Sequence, residues 1–240
     1  MIAAPPLSAR SLRKVYAGRA VVDDISFDVA AGEIVGLLGP NGAGKSTVFR
    51  ILAGVERADG GTVSLAGASV DGLPLDARAR RGLGYLPQED SLFRDLSVAD
   101  NVVLALQVSG REGLPAEFLE RVGIGGLARR AVSGLSGGER RRLQIARLLA
   151  IQPSVMLLDE PFAGLDPVAI QDLQAIFREL ASGGVGVLLT DHAVRETLGT
   201  VDRAILVDAG LIQAQGTPAE VAADPHARAR YFGTAFRLDS

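Results

Sequence analysis

The chain has 240 residues, 48% of them hydrophobic and 22% charged, which fits one ordinary domain or one domain with a modest insertion and excludes a disordered chain. Its 25 basic residues against 28 acidic ones leave a net charge of -3, so no overall attraction to nucleic acid or anionic lipid is expected and any anion site must be local. The lack of cysteine excludes a disulfide scaffold and thiolate-bound zinc, and with only His192 and His226 a histidine-rich metal site is not expected.

The opening Met1-Ile2-Ala3-Ala4-Pro5-Pro6 has neither the basic start nor the long apolar stretch of an export signal. No apolar run approaches the ~20 residues of a membrane-spanning helix, so the expectation is a cytosolic chain. Strand patterns follow: Ile25, Phe27 and Val29 alternate with polar neighbours, and Thr62-Val63-Ser64-Leu65 repeats the alternation, which predicts an antiparallel β layer. Between them Glu33-Ile34-Val35-Gly36-Leu37-Leu38 is continuously apolar after its first residue, as expected for a strand buried on both faces.

That strand runs into Gly39-Pro40-Asn41-Gly42-Ala43-Gly44-Lys45-Ser46-Thr47, followed by a helical pattern over 48–53. A strand, a loop of the form G-x-x-x-x-G-K-[ST] and a helix are the context a phosphate-binding loop requires. The glycines let successive N–H groups turn inward, and the helix N-terminus adds roughly half a positive charge where a β-phosphate would sit. Lys45, one of only two lysines in the chain, is expected on the β- and γ-phosphates, and the Ser46 hydroxyl on Mg²⁺.

From Glu89 to Leu149 no strand-like run occurs, and helices are predicted over 101–108, 116–122 and 138–151, a helical insertion in an α/β core. Just before the last of these, Leu135-Ser136-Gly137-Gly138-Glu139 places a serine and two glycines at a helix start, a second anion site by the same backbone argument. Ser136 and Glu139 also have capping-box spacing. A second buried strand, residues 155–158, ends in Asp159-Glu160, which suits Asp159 to Mg²⁺ and Glu160 to polarising a water as general base. Asp166-Pro167 then caps a helix to about Ala181, a third buried strand covers 185–189, and Thr217-Pro218-Ala219-Glu220 is a full capping box. Strands alternating with helices predict a parallel sheet with helical crossovers.

Leu135-Ser136-Gly137-Gly138-Glu139, taken with the loop at Gly39 to Thr47 and with Asp159-Glu160, resembles the nucleotide-binding subunit of an ABC transporter. The resemblance implies an α/β fold of the ABC ATPase type. Residues 1–88 and 152–240 would form a P-loop NTPase core, a mostly parallel sheet with helices plus an N-terminal antiparallel β layer, and residues 89–151 a helical subdomain. It also implies a head-to-tail homodimer, each ATP lying between one chain's phosphate loop and the other's Leu135-to-Glu139 loop. Tyr16 matches the aromatic on which adenine stacks, and Gln88 the glutamine that joins Mg²⁺ and the water to the membrane partner. Asp166 matches the loop that signals across the dimer, and His192 the switch histidine at the γ-phosphate. His226 matches nothing and is expected at the surface.

Three stretches further resemble the ATPase of the lipopolysaccharide-export system: residues 77–98, which include Phe93 and Arg94; Leu189-Thr190-Asp191-His192-Ala193-Val194-Arg195-Glu196-Thr197-Leu198; and Tyr231-Phe232-Gly233-Thr234-Ala235-Phe236-Arg237-Leu238. This implies a subunit peripheral on the cytoplasmic face of the inner membrane, held there by two integral-membrane partners through a groove near Gln88 to Arg94. Phe93 is then either an exposed anchor for a partner helix or a residue packed inside the insertion. The segment 108–134 departs from that likeness, being shorter and carrying Gly110, Gly113, Gly123, Gly125 and Gly126. The ATPase of a branched-chain amino-acid importer and a soluble ABC ATPase are the rival readings.

Overall fold

In the computed structural model residues 4–233 and 236–238 are described. Met1, Ile2, Ala3, Thr234, Ala235, Asp239 and Ser240 lie outside the described residues, and with them part of the reading of the N-terminus and two positions of the C-terminal likeness.

The antiparallel layer holds β1 (Leu7–Tyr16), β2 (Arg19–Val29), β4 (Gly60–Leu65) and β5 (Ala68–Ser69) in the order β2-β1-β4-β5. The central sheet is six-stranded and contains β3 (Ile34–Leu38), β6 (Leu83–Leu86), β7 (Val155–Asp159), β8 (Gly186–Thr190), β9 (Arg203–Asp208) and β10 (Leu211–Gly216). Their order is β10-β9-β3-β8-β7-β6, with β9-β3-β8-β7-β6 parallel and β10 antiparallel to β9.

The continuous apolar runs follow from burial on both faces. Ile34 and Leu38 of β3 point into one core with Met156, Leu158, Val187 and Leu189. Val35 and Leu37 point into the other with Val155, Leu157 and Leu188. Successive side chains of a strand alternate, so a strand between two cores must be apolar at every position. The second core is closed by the antiparallel layer and by α1 (Lys45–Ala53), through Val48, Phe49, Ile51 and Leu52.

The first core extends into the insertion, where α3 (Val98–Ser109), α4 (Pro115–Arg121) and α5 (Gly137–Ala150) pack through Val102, Leu106, Phe118, Leu119 and Leu143. The glycines of residues 108–134 end helices there: Gly110 closes α3 in the left-handed region at φ 64°, and Gly123, at φ 69°, follows the end of α4. On the core side, α6 (Pro167–Ser182) meets the insertion through ion pairs of Arg142 with Asp172 and of Arg121 with Glu179.

The predicted helices and buried strands all form, within a few residues of the expected ends. Not anticipated were α2 (Leu75–Ala79), β6, β9, β10, α9 (Pro225–Ala227) and a π-helical turn, Arg228–Phe232, while the helical pattern expected after the third buried strand forms as the short α7 (Val194–Leu198). The short helices are held by tertiary contacts: Arg78 of α2 is buried because its guanidinium caps the carbonyls of Ile51 and Leu52 at the end of α1, both at 2.8 Å. The capping box at Thr217 opens α8 (Pro218–Ala223) as predicted.

Candidate functional site

The loop from Gly39 to Thr47 leaves the C-terminal end of β3 at the middle of the sheet. Gly44 sits at φ 107°, and a Cβ there would collide with the Val21 carbonyl oxygen, so only glycine lets the loop pass this close to β2. Helix α1 begins with no side-chain cap and no acid in its first turn, and its first intrahelical bond runs from Val48 N–H to Gly44 O at 2.9 Å. The N–H groups of the first turn and their positive dipole end therefore face the loop without a side chain of the helix to satisfy them. Lys45 folds over the loop and donates from Nζ to the carbonyls of Gly39, at 2.6 Å, and Pro40, at 3.0 Å. Burial lowers its pKa, while Glu160 and Asp159 oppose that shift.

Two strands away, β7 ends in Asp159, which is buried, and burial followed by the neighbouring Glu160 pushes its carboxyl up to about 6. Glu160 lies just past the strand at φ 51°, a left-handed conformation that costs a non-glycine residue about 1–2 kcal/mol and is a mark of functional sites. It is held there on every side. Its N–H donates to Thr190 O at 2.7 Å, its carbonyl accepts from Arg141 Nη2 at 3.2 Å, Oε2 accepts from Gln88 Nε2 at 2.8 Å, and Oε1 lies 2.9 Å from His192 Nε2.

Asn41, Gly42, Gly44, Lys45, Ser46, Thr47, Asp159, Glu160 and His192 thus line one cavity of about 160 Å³, together with Val21, Thr190 and Asp191. Gly39, Pro40 and Ala43 form the back of the loop, where Ala43 is buried. Tyr16 stands half exposed at the end of β1, with Lys14 Nζ 5.4 Å from its ring centre. His226 is exposed on α9, away from this cavity.

The Leu135-to-Glu139 loop lies elsewhere. Ser136, Gly137, Gly138 and Glu139 line a separate groove of about 580 Å³ with Asp166, and no residue of the phosphate cavity borders it. Leu135 is buried beneath the loop, and its carbonyl accepts from Arg140 Nη1 at 2.6 Å. The capping box is complete: Ser136 Oγ accepts from Glu139 N–H at 3.3 Å, and Glu139 Oε2 accepts from Ser136 N–H at 2.7 Å. Asp166 caps α6 by accepting from the N–H groups of Val168 and Ala169, both at 3.0 Å.

A third surface carries Phe93 and Arg94. Phe93 is 50% exposed, which decides between its two expected settings in favour of the surface. The Arg147 guanidinium stacks 5.3 Å from its ring centre, and both border an apolar groove of about 720 Å³ with Leu104, Ala105 and Val108. Arg94 bonds Asp90 at 3.2 Å.

Sequence reasoning missed residues that position the acids. Arg141, buried on α5, bonds Glu160 O and, through Nη1, Gln144 Oε1 at 3.0 Å, while Gln144 Nε2 donates to Asp90 Oδ1 at 3.2 Å. A polar chain so joins the end of β7 to the segment before Phe93. Asp191, also buried, accepts from the N–H groups of Phe162, at 2.7 Å, and Ala193, at 2.9 Å, pinning the loop after Glu160 to the loop before α7. An Asp three residues ahead of a helical run was the one visible signal.

The donors Ser46, Asp159 and Gln88 are all oxygen-bearing and suit a hard cation. Among the described residues no cluster of three His, Cys, Asp or Glu is placed to hold a metal alone. The set therefore fits a Mg²⁺ delivered on phosphate oxygens, as that ion prefers, and a cation beside Asp159 would draw its raised pKa back down.

A parallel sheet that presents a glycine loop at one strand end and two acids at the end of a strand two places away is a nucleoside-triphosphate-binding core, and the antiparallel layer and helical insertion make it an ATP-binding cassette. The chain belongs to the ABC transporter family, whose pattern residues 22–163 match. It is 50% identical over 237 residues to a probable ABC transporter ATP-binding protein of Azorhizobium caulinodans, covering 97% of this chain and 84% of that protein. It is 49% identical over 238 residues to the lipopolysaccharide export system ATP-binding protein LptB of Escherichia coli strain K12, covering 97% and 99%. Among solved structures, the ADP conformation of MJ1267, an ATP-binding cassette of an ABC transporter, superposes at a TM-score of 0.86 with 24% identity, covering 95% of this chain and 98% of that one. The fold is that of the cassettes, and the chain is an ATP-binding subunit of the family.

Proposed function

We propose that this chain hydrolyses ATP as one half of the motor of a lipopolysaccharide exporter. The observation that carries the hydrolytic reading is the grip on Glu160, whose two carboxylate oxygens meet Gln88 and His192 beside the loop that holds Lys45. The loop N–H groups from Gly39 to Thr47 and Lys45 bind the phosphates, with adenine on Tyr16. Ser46, Asp159 and the Gln88 amide oxygen would hold a Mg²⁺ arriving with the nucleotide, which would supply charge neutralisation at the phosphates. Glu160 takes the proton of the attacking water, and His192 orients Glu160 and the γ-phosphate. Catalysis is positioning and charge stabilisation without a covalent intermediate.

Two half-sites on separate surfaces of one chain support a head-to-tail homodimer, with Ser136 to Glu139 and Asp166 serving the partner's nucleotide. A cassette with 23% identity to this chain, described as a dimeric post-hydrolysis state bound to ADP and Pi, shows that the fold can pair. The relatives named for lipopolysaccharide export favour that cargo over amino acids. No helix among the described residues is long and apolar enough to span a membrane. Membrane subunits then hold the chain at the cytoplasmic face through the groove of Phe93 and Arg94, carried by the subdomain of residues 89–151.

Glu160→Gln keeps ATP binding and lowers turnover by at least ~10²-fold; turnover at the parent rate overturns the assignment of the base. Phe93→Ala releases the membrane partners in co-purification while ATP affinity stays at the parent value; partners retained at parent levels remove Phe93 from the contact.

A further inference from the structure

Two buried hydroxyls, Thr190 Oγ1 and Thr197 Oγ1, have no hydrogen-bond partner among the described residues. Both threonines are at least nine-tenths buried, Thr190 being 2% and Thr197 0% exposed. An orphaned buried hydroxyl costs stability, and valine of nearly the same shape would remove the cost. Only one of the two has somewhere to spend it. Thr197 lies within α7 and borders no cavity of the site, whereas Thr190 lines the phosphate cavity beside Lys45 and Ser46.

The sheet register places it further. Asp159 and Thr190 are the last partners between the parallel strands β7 and β8. Each lies two residues beyond a leucine, Leu157 and Leu188, of the core that α1 closes, so by strand alternation both side chains point to the α1 side of the sheet, where Ser46 lies in the first turn of the helix. Thr190 O already receives the N–H of Glu160 at 2.7 Å, so the residue is fixed in place by the segment that carries the proposed base. A hydroxyl donates one hydrogen bond and accepts others, which suits it to a water shared with a carboxylate.

We propose that Thr190 is a positioning residue of the phosphate site, its hydroxyl holding a water of the Mg²⁺ shell next to Asp159. This rests on the assignment of Ser46 and Asp159 to Mg²⁺. Magnesium keeps several waters when bound, and each needs a fixed oxygen partner to set its direction. The hydroxyl is therefore unpartnered among the described residues because its partner arrives with the ion.

The test uses the full chain and compares Thr190→Val with Thr197→Val, reading the melting temperature without nucleotide and the affinity for a fluorescent ADP analogue in Mg²⁺ and in EDTA. Both variants are expected to melt at or above the parent temperature. Thr190→Val loses about five- to tenfold of the affinity gained on adding Mg²⁺ and keeps the parent affinity in EDTA, while Thr197→Val matches the parent in both. Thr190→Ser restores the Mg²⁺ gain. Should Thr190→Val fail to fold, Thr190→Ala against Thr190→Ser reads the same contrast. A parent-like Mg²⁺ gain without the hydroxyl overturns the proposal, and so does an equal loss of affinity in Mg²⁺ and EDTA. Ser46→Ala separates the two levels: if it too keeps the whole Mg²⁺ gain, the magnesium assignment itself falls, whereas its loss of the gain beside a parent-like Thr190→Val removes Thr190 alone.

Discussion

The chain carries two helix N-termini behind glycine-bearing loops, at α1 and at α5, and they are finished differently. Helix α1 starts with no side-chain cap and no acid, so its first-turn N–H groups and Lys45 are left for an anion. Helix α5 starts with a closed capping box, in which the hydrogen bonds from Ser136 hold the Glu139 carboxyl below its usual pKa, so a negative charge sits at the positive end of the helix dipole. The first helix end is left open to an anion. The second is partly satisfied by its own glutamate, so under the proposed function it would take a phosphate only when another molecule presents it. The asymmetry supports the proposed dimer, since two strong sites on one chain would each capture a nucleotide without closing anything.

The sharpest way to break this comparison is Lys45→Ala against Ser136→Ala. Removing Lys45 lowers ATP affinity of the isolated chain by about 10²-fold or more, read by titration calorimetry, because a charge-assisted contact to the phosphates is lost. Removing Ser136 leaves that affinity at the parent value and costs about 1 kcal/mol of stability through the lost cap. Equal losses of affinity would mean that both loops serve one nucleotide within one chain.

A smaller effect contrasts the glycines. Gly44→Ala collides with the Val21 carbonyl at φ 107° and destabilises the fold by about 2 kcal/mol, with a Tm drop of roughly 5–8 °C. At Gly137 a Cβ would meet nothing closer than Gly164 O and Leu165 Cδ2, at 3.9 Å, so Gly137→Ala melts within about 2 °C of the parent. Equal melting of the two variants would show that the phosphate loop is not the tighter structure.

The smallest effect is a pH dependence confined to the first site. The folded pKa of Asp159, about 6, lies above the ordinary range of an aspartate, so the folded chain binds this proton more tightly than the unfolded one. The stability from that proton is fully present below the unfolded pKa and is lost as pH rises through about 6. Asp159→Asn therefore raises the Tm of the nucleotide-free chain at pH 8 and has little effect at pH 4. A gain of the same size at both pH values would place the stabilisation outside this ionisation.

Much of this was legible in contiguous residues. The phosphate loop, both capping boxes, the Asp166 cap and the three doubly buried strands each depend on neighbours within a few positions, and each forms where the local pattern put it. The segment 108–134 read as a departure, yet Gly110 and Gly123 turn out to mark the ends of ordinary helices, which a glycine count does not reveal. Phe93 could be read either way, because a single aromatic has no periodicity to say which side of the insertion it faces. Arg141 is the middle of three consecutive arginines, with nothing local to single it out, and only packing of α5 against the end of β7 buries it and turns it toward Glu160.

The sequence by itself determined which glycine loops lead into helix N-termini, which helices begin where, and which acids end a buried strand, since capping, glycine conformation and strand alternation act over one to four residues. Strand order was decided by the tertiary structure alone. Placing β8 between β3 and β7 brings Thr190 beside Asp159 and His192 onto Glu160, and pairing β6 with β7 brings Gln88 to a carboxylate 72 positions away. These contacts arise from two cores closing on opposite faces of one sheet, and apolar burial has no direction that a local pattern records.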